Sequence, residues 1–172
     1  PICADSRINP NLITQAEPGD LFILRNIGNL VPAYGEMLGG VSSAIEYAVL
    51  GLGVSSIIVC GHSDCGAMKA LLEPEKNGLD KMPTVRSWLR NAEAARAATV
   101  NTLHSEDAGP ATVRCLAEQH VLLQLAHLRT HPAVAAGLAR NTPFMQECFY
   151  DLRTWQIPAL DAPPRPHVPT LG

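Results

Sequence analysis

Short apolar runs along this chain alternate with stretches in which apolar residues recur every three or four positions. Ile57-Ile58-Val59-Cys60 predicts a buried strand bounded by turn residues. Gly61 ends it, and Gly66-Ala67-Met68-Lys69-Ala70-Leu71-Leu72 begins a helix that Pro74 stops. Leu21-Phe22-Ile23-Leu24 predicts a second buried strand, and Phe144 to Leu152 a late one. A short helix is expected over Asn11–Ala16, and Val41, Ala44, Ile45, Ala48, Val49 and Leu52 keep helical period. Val85, Trp88, Leu89, Ala92 and Ala95 predict one helix from Thr84 to near Asn101. Val113 to Leu128 predicts another, and Pro132 opens a shorter one ending near Arg140. This alternation argues for an α/β fold of three layers, a mostly parallel central sheet flanked by helices. Residues 1–160 read as a single domain, followed by a Pro-rich tail over 161–172. Pro1-Ile2-Cys3 has the character of a strand's last residues, so an amino-terminally shortened domain is expected, unstable and inactive on its own.

Within that pattern His62 and Cys65 stand three apart on the turn that leaves the central strand. They offer an imidazole nitrogen and a thiolate sulfur, half of a zinc site. Cys3 follows another strand and supplies the missing partner. Parallel sheets gather functional groups at the carboxyl ends of their strands, and both segments fall on that edge. If extended, Cys3, Asp5 and Arg7 share one face.

Composition narrows the remaining possibilities. The 172 residues are 47% hydrophobic and 17% charged, enough for a sizeable core and for a buried subunit contact as well. A net charge of -3 gives no electrostatic reason to expect nucleic acid or an anionic membrane. Gly51, Gly53, Ser55 and Ser56 interrupt the longest apolar stretch, so no membrane span is predicted. Five cysteines without small-scaffold spacing favour a reducing, cytoplasmic setting over a disulfide framework.

Cys3-x-Asp5-x-Arg7 followed by His62-x-x-Cys65 resembles the signature of the β-class carbonic anhydrases. The similarity extends through Pro18-Gly-Asp-Leu-Phe22, Arg25-Asn-Ile-Gly-Asn29, Ala44-Ile-Glu-Tyr-Ala-Val49 and Cys60-Gly-His-Ser-Asp-Cys-Gly66. It resumes more loosely in Val121–Leu125, Leu128–Pro132 and Tyr150-Asp151. The resemblance implies one zinc per chain on Cys3, His62 and Cys65, with reversible CO₂ hydration to bicarbonate and a proton. Three protein ligands leave a fourth position for a water, whose acidification supplies hydroxide. Asp5 is placed to accept that group's proton, and Arg7 to hold Asp5 by a paired, charge-assisted bond. Unheld, Asp5 is itself a competent zinc ligand.

By the same resemblance Phe22, Ile27 and Tyr47 line an apolar pocket at a subunit boundary, with the Gly66 backbone beside the substrate. A homodimer or larger homo-oligomer is implied, and residence in a bacterial microcompartment is one option. The plain alternative makes Phe22, Ile27 and Tyr47 core residues. Residues matching Arg25 and Tyr150 form a bicarbonate pocket in some family members. Two other functions compete: a carbon disulfide or carbonyl sulfide hydrolase on the same scaffold, and a non-catalytic zinc-stabilised scaffold. Cys60, Cys115 and Cys148 sit in apolar runs and read as buried thiols. His120 stands where the family more often has asparagine, and with His127 it could share a helix face. His104, His131 and His167 are expected in loops or at the terminus. Asp64 either orients a neighbour or is a solvated loop carboxylate.

Overall fold

Parallel pairing to β3 (Ser56–His62) organises the sheet. The two-residue strand β1 (Ile2–Cys3) lies between β3 and β2 (Arg25–Asn26), and β4 (Phe144–Tyr150) closes the other side. All four strands are parallel, in the order β2-β1-β3-β4. The computed structural model describes residues 1–36, 38–105 and 107–157. The Pro-rich tail and His167 lie outside the described residues.

Alternation along β3 and β4 assigns the two faces. Ile57, Val59 and Met145 pack with Val121, Leu125 and Leu128 of helix α6 (Pro110–Thr130). Gly61 permits that approach, because a Cβ there would stand 2.6 Å from Val121 Cγ2. Helices α3 (Gly66–Leu72), α4 (Pro83–Leu89) and α5 (Glu93–Leu103) complete this side. Near α6, α2 (Gly40–Glu46) adds Ile45 and α7 (Pro132–Leu138) adds Val134. On the opposite face Ile2, Cys60, Cys148 and Tyr150 meet Ile8 and Ile13, the latter from α1 (Pro10–Thr14). The expected α/β architecture with a parallel sheet is the one observed.

Several expected elements are corrected. Leu21–Leu24 is not a buried strand: Leu21, Phe22 and Ile23 are exposed, and pairing begins only at Arg25. The long helix over 84–101 is split by a 3₁₀ turn at Arg90–Ala92, where Asn91 Nδ2 donates to the Trp88 carbonyl. The helix from Gly40 ends in a π turn over Tyr47–Gly51, and the Tyr47 ring lies against Gly51. The late strand stops at Tyr150, two residues early, and turns back through an Asp151–Gln156 bridge. Cys115 and Cys148 are half-buried rather than fully buried.

The expectation for the histidines of α6 is replaced by a structural role. The segment from Gly28 to Tyr34 runs over the helix, and its buried backbone groups need partners. His120 Nε2–H donates to the Gly28 carbonyl at 2.7 Å, and Gln124 Oε1 accepts from Val31 N–H at 2.7 Å. His127 Nδ1 and His131 Nε2 donate to the Val31 and Pro32 carbonyls. Thr130 Oγ1 accepts from Tyr34 N–H. His131, expected in a loop, is a buried cap at the start of α7, while His104 is the left-handed residue ending α5.

Burial holds His120 at about 4, against a bond to Gly28 that favours the charged form; nearby His127 lowers it and Cys3 opposes. That value lies below the 6.5 of an unhindered histidine, so the unfolded chain takes up the proton first. The contribution is therefore full above pH ~6.5, declines as pH falls toward ~4, and levels off below. His120→Asn, which carries no titrating group, should flatten this slope. Urea melts from pH 4 to 7 should show the wild type losing about 3 kcal/mol more than the variant. Parallel slopes would remove His120 as the cause.

Candidate metal centre

Cys3, His62 and Cys65 are all buried, and their ligand atoms lie within 4.8 Å of one another. β1 and β3 deliver the first two from adjacent strand ends, and Cys65 caps α3. His62 Nδ1 lies 2.8 Å from the Ser63 carbonyl, an acceptor only, so Nδ1 carries the hydrogen. The lone pair is then on Nε2, which is buried with no hydrogen-bond partner. A polar atom in that position is costly unless something binds it.

Backbone amides surround both sulfurs. Gly28 N–H faces Cys3 Sγ, while Ala67 and Met68 N–H face Cys65 Sγ. Gly28 has φ 75°, and a Cβ on it would meet Ala67 Cβ at 3.2 Å, so glycine suits the close approach. The Cys65 S–H bond to Cys3 brings the Cys3 thiol down to about 4, and the same bond pushes Cys65 well up. Two thiolates share this pocket only if a cation lies between them. One orphan imidazole nitrogen and two sulfurs is a donor set suited to zinc.

Asp5 stands at the edge of this cluster, Oδ2 being 4.0 Å from His62 Nε2. Arg7 grips it through Nε to Oδ1 at 2.9 Å and Nη2 to Oδ2 at 2.7 Å, with Arg7 N–H on Oδ1 at 2.9 Å. That grip holds the Asp5 carboxyl down at about 2. Arg7 is in turn shared: Nη1 donates to Asp64 Oδ2 at 2.8 Å, and Lys69 pairs with Asp64 Oδ1. Asp64 therefore orients a neighbour, although it is solvent-exposed. Arg25 Nη2 donates to the Asp5 carbonyl at 2.7 Å and fixes the backbone of the same segment.

Lys69 escaped sequence reasoning. Its only trace is a cation five residues beyond Asp64, a spacing that has no meaning until the turn at Asp64 is known (φ 56°). Phe22, Ile27 and Tyr47 are not core residues: they are 47%, 45% and 57% exposed. The Phe22 and Tyr47 rings are 6.2 Å apart. Gly66 is exposed with open space where a Cβ would be.

Comparison with known proteins agrees with this geometry. The family profile for carbonic anhydrase matches residues 2–157. A carbonic anhydrase of Pseudomonas aeruginosa is 48% identical over 163 residues, covering 95% of this chain and 72% of that protein. One of Synechocystis is 42% identical over 92% of this chain and 57% of its own length, so this chain spans little more than half of that relative. Among solved structures, the β-carbonic anhydrase CcaA superimposes with a TM-score of 0.85 at 40% identity, over 91% of this chain and 75% of that one. A tetrameric β-carbonic anhydrase from Sordaria macrospora gives 0.79 at 28% identity, over 94% of this chain and 78% of that one. With the Cys-His-Cys cluster at the strand ends and a match that runs almost the whole chain, this protein belongs to the β-class carbonic anhydrases, a family of lyases.

Proposed function

We propose that this chain reversibly hydrates CO₂, using one zinc held by Cys3, His62 and Cys65. The observation that carries the reading is the buried, partnerless Nε2 of His62, aimed with two sulfurs beside an Arg7-held carboxylate. Zinc bound there would supply the Lewis acidity that makes a water nucleophilic near neutral pH.

The chain's own residues account for the rest. Asp5 is ionised throughout the working range, so it can only accept. Its Oδ1 already takes two donors from Arg7, whereas Oδ2 takes one. The free lone pair therefore lies on Oδ2, the oxygen nearer His62. It accepts the proton of the attacking oxygen and turns that oxygen's lone pair toward the carbon of CO₂. Arg7 is 46% and Asp5 16% side-chain exposed, and an ion pair so exposed contributes at most about 1 kcal/mol to stability. Orientation, with denial of the metal to Asp5, is the better account of its presence. A purely structural zinc needs neither residue.

Phe22, Ile27 and Tyr47 form the apolar approach, suited to a small uncharged gas, and the exposed Gly66 backbone borders it. A second copy of the chain covers these residues in the active assembly. Cytoplasmic residence completes the proposal. Among the described residues no helix is long and apolar enough to cross a membrane.

Each part has a test. Cys3→Ala, His62→Ala or Cys65→Ala should strip most of the zinc, read by elemental analysis; full occupancy in Cys65→Ala would refute the ligand set. Asp5→Ala should retain zinc and lose most CO₂ hydration in stopped-flow assays, about ten- to a hundredfold. Arg7→Ala should cripple turnover comparably, and near-normal rates in both variants would end the orientation argument. Light scattering at assay concentration should find a dimer or larger, with a fully active monomer as the contrary result. Carbon disulfide and carbonyl sulfide assayed alongside CO₂ separate the hydrolase alternative.

A further inference from the structure

Two of the three cysteines outside the metal centre are neighbours. Cys60 on β3 and Cys148 on β4 are register partners on adjacent parallel strands, with their sulfurs 2.9 Å apart. Adjacent strands lie about 4.7–4.9 Å apart, inside the roughly 4.4–6.8 Å Cα separation that a disulfide spans. Both thiols are free, and the sulfurs share an S–H···S bond donated by Cys60. They belong to the packing group of Ile2, Ile8 and Tyr150, apart from Cys3 and Cys65, which pack with Met68 and Phe149.

We propose that Cys60 and Cys148 form a reversible redox site, closed to a disulfide by hydrogen peroxide. A core-filling role alone would leave the pair inert. Two features argue otherwise: the sulfurs already face each other, and Cys148 is half-buried rather than sealed. Its sheet face opens at Ile58 and Phe144, both exposed. Cys148 is the more open of the two sulfurs and Cys60 the buried one, which makes Cys148 the first to meet a peroxide.

The Cys148 thiolate attacks one peroxide oxygen, the O–O bond breaks, and the departing hydroxide takes up the thiol proton as water. Cys148 is then a sulfenic acid. The Cys60 sulfur attacks Cys148 Sγ, the S–S bond forms, the S–O bond breaks, and a second water leaves with the Cys60 proton. Overall the two thiols lose two electrons and two protons, and the peroxide is reduced to two waters. A thiol reductant reverses the bond by exchange. This site does not depend on the proposed CO₂ chemistry.

The test uses zinc-loaded protein, so that metal protects Cys3 and Cys65, treated with a slight molar excess of hydrogen peroxide. Intact mass should fall by about 2 Da, for the two hydrogens lost, and return with dithiothreitol. A tryptic map should link peptide 26–69 to peptide 141–153. Tandem fragmentation between Cys60 and Cys65 should place the link on Cys60. Cys148→Ser should abolish the linked peptide while keeping zinc, and Cys60→Ser should instead accumulate oxygen on Cys148. Oxygen addition to wild-type Cys148 without a link would overturn the proposal. So would an unmodified pair, or a link placed on Cys65.

Discussion

The pairing of a two-residue strand between two neighbours is the constraint on which the rest of this structure depends. Ile2 is in register with Arg25 on one side and Cys60 on the other, and Cys3 with Asn26. Those few pairings bring the third residue of the chain beside the sixty-second. Ile2 N–H donates to the Leu24 carbonyl, Ala4 N–H to Asn26, and Cys60 N–H to Pro1. Without them the segment that carries Cys3 and Asp5 is not fixed, and the entropy of ordering it opposes any metal. With them, the sulfur, the imidazole and the carboxylate are delivered by backbone geometry, before any side chain chooses a rotamer.

What was legible in the sequence was local. His62 and Cys65 lie on one turn, Cys3 and Asp5 on one short segment, and the apolar β3 announces itself by composition. The Cys-His-Cys cluster and the parallel sheet follow from such signals. Leu21–Leu24 is a different case. An apolar run has the same pattern whether its partner is this chain's interior or another molecule's surface, and Phe22 and Tyr47 are exposed here. The break at Arg90–Ala92 left no signal either, since Ala92 keeps the helical period and is fully buried. The Arg7–Asp64–Lys69 chain of charges joins residues far apart in sequence and depends on a left-handed turn at Asp64, which residue spacing does not encode.

Polar residues line one side of α6 and the turn that leads into α7. His120, Gln124, His127 and His131 recur at helical spacing, a pattern that invites a second metal site. Instead each satisfies a backbone group of one buried segment, Gly28 to Pro32. Asn26 closes the same segment from within, its side chain bonding both N–H and carbonyl of Leu30. Trp88 Nε1 holds the Ile27 carbonyl from α4. A loop with so many of its polar groups engaged is as rigid as an element of regular structure.

That rigidity matters because the segment faces two ways. Its Gly28 N–H is directed at Cys3 Sγ, so the loop helps to set how readily that sulfur carries charge. The adjoining Ile27 is exposed, as are Phe22 and Tyr47. A shift of the loop would therefore alter the electrostatics of Cys3 and this exposed apolar surface together. The helix that fixes it packs on β3 through Gly61, one residue before His62. One framework thus locates both sides of the centre: the imidazole through β3, and the amide at Cys3 through histidines whose hydrogen bonds are spent on backbone carbonyls.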